Sequence, residues 1–141
     1  MKQLSKTAII VFFVILASTV HAGELSKKLY FVGLWEGIDD NDGSEAQRSI
    51  TLNSDGTFKI IGREPFVIGC EGRGMVAGTG VLEDGIIIVN DFLVTCYNDP
   101  PSGPYHDIAR YKPNRLNGTL IEDFPNSSEF LPINLHRISR R

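Results

Sequence analysis

The sequence predicts an all-β protein, an antiparallel up-and-down β-barrel of about eight strands, with a β-sandwich as the alternative. Short β-prone runs alternate with turn residues along the chain. Asp55-Gly56 and Asp84-Gly85 mark tight hairpins, because Asp-Gly accepts the positive φ angles of a type I′ turn. Helical periodicity is nearly absent after a short opening segment, Glu24–Tyr30. Strands joined by short turns are antiparallel, and connection by hairpins alone favours the barrel.

The β-prone runs follow one another from the first turn to the end of the chain. They are Tyr30–Ile38, Gln47–Leu52, Thr57–Ile61, Phe66–Cys70, Gly74–Leu82, Ile86–Cys96, Ile108–Lys112, Gly118–Asp123 and Phe130–Ile138. The run from Ile86 is the most apolar and predicts a well-buried strand. Gly78 and Gly80 suit a bend at a barrel corner. Asn98–Pro104 is rich in proline and predicts a loop.

The N-terminal segment has the three parts of a secretory signal peptide. Lys2 and Lys6 give a positive start, Thr7–Ala17 is almost continuously apolar, and Val20-His21-Ala22 is a small-residue cleavage site. The apolar run is too short to span a bilayer, which takes about 20 helical residues. We therefore predict a signal peptide over residues 1–22 and a single β-barrel domain over residues 23–141, secreted or periplasmic and free of the membrane after cleavage.

The charge of the mature chain limits its partners. Without Lys2 and Lys6 it carries 12 Lys and Arg against 17 Asp and Glu, a formal charge of −5. An acidic chain is a poor partner for nucleic acid, because binding to phosphates needs clustered Lys and Arg. We expect a monomer that binds no nucleic acid and carries no cofactor.

Cys70 and Cys96 are the only cysteines in the chain. In an oxidising compartment, such a pair in a small domain predicts a disulfide. The bond would close a loop of 26 residues. On the chain-entropy relation, this stabilises the fold by about 3.5 kcal/mol. A structural zinc site needs four ligands, and no His pair lies near the two cysteines to complete one.

Gly33-Leu34-Trp35 on the first strand resembles the Gly-x-Trp signature of lipocalins and the wider calycin superfamily. Calycins also tend to carry an Arg on or just after the last strand, packed over that Trp, and Arg137 occupies the matching position. An Arg plane over a Trp face forms a cation–π contact. The resemblance implies a small barrel closed at one end, in which Gly33, Trp35 and Arg137 have structural roles.

An eight-stranded barrel leaves room for one small ligand. We therefore expect non-catalytic binding of a small or apolar molecule, although the same residues would also suit a filled core. The candidate lining residues alternate along the strands: Ile50, Leu52, Phe58, Ile60, Phe92 and Val94. The alternative is a protein-interaction module such as a protease inhibitor, which would work through the mature N-terminus or the loop Asn98–Pro104.

No residue pattern indicates catalysis or a metal site. A Ser-His-Asp site needs a strained nucleophile turn such as Gly-x-Ser-x-Gly, which the chain lacks, so His106 and His136 are expected to be ordinary surface or strand residues. The acidic segment from Asp39 does not match a calcium loop, because placing Gly43 in the glycine slot makes Ile38 the first ligand. We predict no catalytic residues and no metal ligands.

Overall fold

The structure is a computed structural model that describes residues 22–138, apart from the side chains of residues 67 and 68. The predicted signal peptide lies outside the described residues except for Ala22, so its cleavage stays a prediction. The described residues divide into two compact units, one that ends at Tyr30 and one that begins at Phe31. No helix within the described range is both long and apolar enough to cross a membrane.

The first unit is helical over residues 22–29, here called α1. Lys28 and Glu24 form an ion pair of 3.3 Å across one helical turn, an arrangement that supports short helices. The predicted helical opening of the mature chain is therefore confirmed.

The second unit contains a closed antiparallel barrel in which each strand pairs with the next and the last pairs with the first. Closure comes from the register pairs Trp35 with Arg137 and Glu36 with His136. The predicted up-and-down barrel is confirmed, and it has no free sheet edge. The strands are β1 Gly33–Ile38, β2 Glu45–Leu52, β3 Phe58–Arg63, β4 Gly74–Glu83, β5 Ile86–Cys96, β6 Ser102–Asn114, β7 Thr119–Asp123 and β8 Ile133–Arg137.

Because each strand runs antiparallel to the next, the connections alternate between the two ends of the barrel. The connections after β2, β4 and β6 lie at the end where the chain enters β1, which we call the floor. Those after β1, β3, β5 and β7 lie at the other end, the mouth. Asp84-Gly85 at the floor has positive φ at both residues, as predicted for a type I′ turn. In the β2–β3 turn only Gly56 does, and the Asp55 carboxylate instead accepts hydrogen bonds from Thr57.

Trp35 closes the floor. Its indole is fully buried and donates a hydrogen bond from Nε1 to the carbonyl of Phe31 at 2.8 Å. The Arg137 guanidinium lies 4.3 Å from the centre of the Trp35 ring and donates to the carbonyl of Val32 at 2.5 Å. Gly33 has a φ of +147°, and a Cβ there would lie 2.5 Å from Nη1 of Arg137. The glycine therefore leaves the space that the guanidinium occupies.

A continuous apolar core fills the barrel above the floor. Phe31 packs edge-on against Phe58 with ring centres 5.9 Å apart. The glycines of β4 face large neighbours. A Cβ on Gly78 would lie 2.5 Å from Val89, and a Cβ on Gly80 would lie 2.5 Å from Ile87. The β4–β5 register shifts across this stretch, as predicted for a corner. The fully buried apolar strand residues are Trp35, Ala46, Ile50, Phe58, Ile60, Ile87, Val89, Phe92, Ala109, Tyr111, Leu120 and Leu135.

Two predictions about the mouth were wrong. Phe66–Cys70 is not a strand: Val67–Cys70 forms a single helical turn, α2, because Pro65 ends β3 and the Cys70 amide donates to the carbonyl of Phe66 at 2.6 Å. Asn98–Pro104 is not wholly a loop, because β6 begins at Ser102, opposite Cys96.

The predicted disulfide between Cys70 and Cys96 is present, with 4.8 Å between the two Cα atoms. It ties α2 to the end of β5. A disulfide is typical of oxidising compartments, which agrees with the predicted export.

Candidate functional site

A cavity of about 570 Å³ opens at the mouth of the barrel. Three segments enclose it: the β1–β2 turn, the β3–β4 loop with α2, and the β7–β8 connection, which meet over the paired ends of β5 and β6. The lining residues are Asp39, Asn41, Asp42, Phe66, Gly69, Cys70, Val94, Cys96, Tyr105, His106, Asp107, Phe124, Glu129 and Phe130. Both cysteines of the disulfide are among them, so the covalent link holds part of the wall.

The cavity has an aromatic wall that continues the core. Phe92, fully buried, packs against Phe124 with ring centres 5.6 Å apart. Phe124 packs against Phe130 at 6.2 Å, and Phe130 is 47 % exposed. The three rings thus form a row of tilted and edge-to-face contacts that leads from the interior to the rim. A further aromatic ring, Phe66, comes from the β3–β4 loop, where its backbone has a left-handed φ of 41°. Bulky residues rarely adopt this conformation, and strain of this kind clusters at functional sites.

Carboxylates surround the aromatic wall. Asp39 is only 2 % exposed, and its Oδ1 accepts hydrogen bonds from the backbone amide and Nδ2 of Asn41 at 2.8 and 2.6 Å. Asp107 accepts hydrogen bonds from the amide of Ile108 at 2.7 Å and from the hydroxyl of Ser127 at 2.9 Å. The lining residues include no Lys or Arg. The mouth is therefore apolar in its wall and negative at its edge.

A buried ion cluster lies beneath the mouth, around Arg48 of β2. Arg48 Nε and Nη2 donate to the two oxygens of Glu122 at 2.7 and 2.5 Å. Nη2 also donates to Glu64 at 2.7 Å, and Nη1 donates to the carbonyls of Gln47 and Arg63 at 2.9 and 2.7 Å. All five guanidinium donors are used, which allows this charge to be buried.

Burial and ion pairing shift the pKa values in this cluster in opposite directions. Desolvation lowers the pKa of the Arg48 guanidinium, but Glu122 and then the other anionic neighbours more than offset it, so the pKa is raised and Arg48 stays charged. Desolvation raises the pKa of Glu64 to about 7 against the opposing effect of Arg48. Burial and then the negative charge of Glu122 raise the pKa of Tyr111.

The raised pKa of Glu64 predicts that stability falls as the pH rises from about 4.5 to 7. The folded carboxyl keeps its proton up to about pH 7, whereas the unfolded one releases it near 4.5, so the folded state binds more protons in this window. Glu64 alone then lowers the free energy of unfolding by about 3 kcal/mol between pH 4.5 and 7. Urea unfolding at several pH values measures it.

The matched variants for this prediction are Glu64→Gln and Glu45→Gln. Glutamine at position 64 imitates the protonated acid and is expected to flatten the pH slope, whereas Glu45 is exposed and its substitution should leave the slope unchanged. Equal slopes in the wild-type protein and Glu64→Gln would show that Glu64 ionises normally in the fold.

The structure places the predicted lining residues mostly in the core. Ile50, Phe58, Ile60 and Phe92 are fully buried and lie outside the cavity wall, as does the half-buried Leu52. Val94 alone among the six lines the cavity. The barrel is filled to the level of the ion cluster, and the open volume lies above it.

Sequence reasoning missed the aromatic wall and the ion cluster. Phe66, Phe124 and Phe130 lie in connections, outside the alternation of the strands that selected the candidates. The strand pattern did contain a signal for the cluster, since Arg48 is in phase with Ile50 and Glu122 is in phase with Leu120.

His106 lies at the edge of the cavity without a catalytic partner set. Its Nδ1 is 2.6 Å from Asp91, and both side chains are largely exposed. The Ser127 hydroxyl donates to Asp107 and not to His106, so these described residues form no nucleophile–base pair. The acidic β1–β2 turn is held by its own carboxylates, since Asp42 accepts from the amide of Ser44 at 2.8 Å. Within residues 22–138, no group of three His, Cys, Asp or Glu side chains is arranged to hold a metal ion.

Comparison of the chain with models of protein families, with curated protein sequences and with solved structures gave no match.

Proposed function

We propose that this protein is an exported, calycin-like binding protein that holds a small apolar molecule in the mouth of its barrel. The observation that carries the proposal is the cavity of about 570 Å³ with its aromatic wall. Ligand sites are typically concave, largely apolar and about 300–1,000 Å³ in volume. Arg137 over Trp35 and the close approach at Gly33 support the calycin-like assignment. In this proposal the protein acts as a monomer after signal removal.

The wall is held in place before a ligand arrives. The Cys70–Cys96 disulfide fixes α2 against β5, and Phe124 is seated on the buried ring of Phe92. A preorganised wall lowers the entropy that binding must overcome. The ligand therefore lies across the mouth, above the ion cluster, and does not penetrate to Ile50 or Phe58.

One observation favours a protein partner as the second candidate. Tyr97 and Tyr105 on the β5–β6 hairpin are 58 % and 56 % exposed. Tyrosine is enriched at protein interfaces, and this hairpin includes the predicted interaction loop. A protease-inhibitor role would use this tip, and Tyr97→Ala would then abolish inhibition while leaving small-molecule binding intact.

The proposed function is tested by fluorescence titration with N-phenyl-1-naphthylamine, a neutral apolar probe. We expect saturable binding with one site per chain. Phe130→Ser should raise the Kd about tenfold, the effect of losing the apolar area that this half-exposed ring would bury against the ligand. Leu116→Ser is the matched control, because Leu116 is 98 % exposed in the β6–β7 turn at the floor. Absence of saturable binding, or equal Kd values for the two variants, would overturn the proposal.

Native mass spectrometry of the mature protein purified from its own host complements this titration. A bound small molecule, released by denaturation and lost in Phe130→Ser, would identify the natural ligand directly.

A further inference from the structure

The mouth combines an apolar wall with carboxylates, and one of these carboxylates is incompletely satisfied. Asp39 is 2 % exposed and lines the cavity. Both hydrogen bonds from Asn41 go to Oδ1, so Oδ2 has no hydrogen-bond donor among the described residues. Oδ2 is not one of the side-chain atoms that are both fully buried and unpaired, so it is not sealed off from the cavity. Its place in the cavity wall leaves it available to a donor on a ligand.

Three further carboxylates add negative charge to the cavity around Asp39. Asp42, Asp107 and Glu129 line the same cavity, from the β1–β2 turn, β6 and the β7–β8 connection. Glu129 is exposed and forms no ion pair with the described residues. The carboxylates therefore approach the opening from different sides.

The charges beneath the mouth do not neutralise this edge. Arg48 is the cation of the buried cluster, and its guanidinium is bound to both Glu64 and Glu122. Its five donors are all used within the cluster, so it offers none to the carboxylates at the mouth. Charges of one sign in a low-dielectric cleft focus the field and attract ligands of opposite charge.

The aromatic wall suits a cation as well as an apolar body. Phe66, Phe124, Phe130 and Tyr105 line the cavity, and the face of an aromatic ring attracts a cation through its quadrupole. The wall and the carboxylates together match one chemical class of ligand.

We propose that the mouth selects an amphiphilic organic ammonium ion, with its charged group on Asp39 and its apolar body against Phe124 and Phe130. This inference rests on the proposed function and adds the charge of the ligand to it. An N–H of the ammonium group donates to Oδ2 of Asp39, and Asp107 and Glu129 contribute longer-range attraction.

The test uses three molecules with one hydrocarbon body and different charge: 1-octylammonium, 1-octanol and octanoate. Each competes with N-phenyl-1-naphthylamine for the cavity at pH 7. We expect octylammonium to displace the probe at a concentration about tenfold lower than octanol, the ratio of a charge-assisted to a neutral hydrogen bond. Octanoate should be the weakest of the three, because it meets like charge.

Matched variants locate the charged subsite. Asp39→Asn keeps an oxygen for the Asn41 hydrogen bonds and should reduce the preference of octylammonium over octanol to about twofold or less. Asp40→Asn removes an exposed charge of the same turn that does not line the cavity, and should preserve most of the preference. If the probe binds but all three molecules displace it equally well, the charge inference alone is overturned. The same holds if Asp39→Asn and Asp40→Asn reduce the preference for octylammonium over octanol by the same factor. Failure of the neutral probe to bind overturns the proposed function and this inference with it.

Discussion

Replacing Arg48 with methionine is expected to destabilise the barrel by about 3–5 kcal/mol, the usual cost of breaking a buried ion pair by removal of one partner. The substitution leaves Glu122 and Glu64 inside the barrel without the guanidinium that satisfies them. It also releases the backbone carbonyls of Gln47 and Arg63. Small domains have a free energy of unfolding of about 5–15 kcal/mol, so the variant would lose much of its stability. Urea unfolding at pH 7 measures the change.

The control is the triple variant Arg48→Met, Glu64→Leu, Glu122→Leu. Replacing a whole buried ion cluster by apolar side chains is often neutral or stabilising, because no charge remains to be desolvated. The triple variant should therefore recover most of the stability that Arg48→Met loses. A loss below about 1 kcal/mol in the single variant, or no recovery in the triple, would contradict the arrangement described for this cluster.

Trp35→Ala is expected to cost about 3–5 kcal/mol, the range for removing a large aromatic side chain from a core. The indole is fully buried, its Nε1 hydrogen bond to Phe31 would be lost, and Arg137 would lose the ring beneath it. Since the β1–β8 pairing passes through positions 35 and 137, the change acts on the seam that closes the barrel. Thermal and urea unfolding report the loss.

Two substitutions near Trp35 serve as comparisons for this prediction. Arg137→Ala removes only the cation–π contact and one hydrogen bond, so about 1–2 kcal/mol is expected. Leu34→Ala changes the adjacent residue, whose side chain is 40 % exposed, and should cost less than about 1 kcal/mol. If Leu34→Ala were as damaging as Trp35→Ala, the alternation of inner and outer residues along β1 would be wrong.

The barrel could be predicted because its signals are local. Asp84-Gly85 specifies a turn by backbone conformation alone, and alternation along β2 and β3 places Ile50, Phe58 and Ile60 inside without reference to other strands. Trp35 and Arg137 were paired through a family resemblance, and the structure gives them a contact of 4.3 Å.

The cavity could not be predicted in this way because it depends on contacts distant in sequence. Phe66 and Phe130 are 64 positions apart and share a wall only because the β3–β4 and β7–β8 connections meet at one end of the closed barrel. The backbone of the β3–β4 loop was misassigned since Phe66–Cys70 has a β-prone composition, while Pro65 and the disulfide impose a helical turn. Strand alternation finds residues that point inward, but it does not show at what height the interior stops being filled.

The ion cluster around Arg48 divides the interior of the barrel into two compartments of different character. The lower one is filled by the buried side chains of the core. The upper one is the cavity at the mouth, bordered by the β1–β2 turn, the β3–β4 loop and the β7–β8 connection. In the proposed function, a bound molecule therefore contacts these three connections and leaves the packed core below them undisturbed.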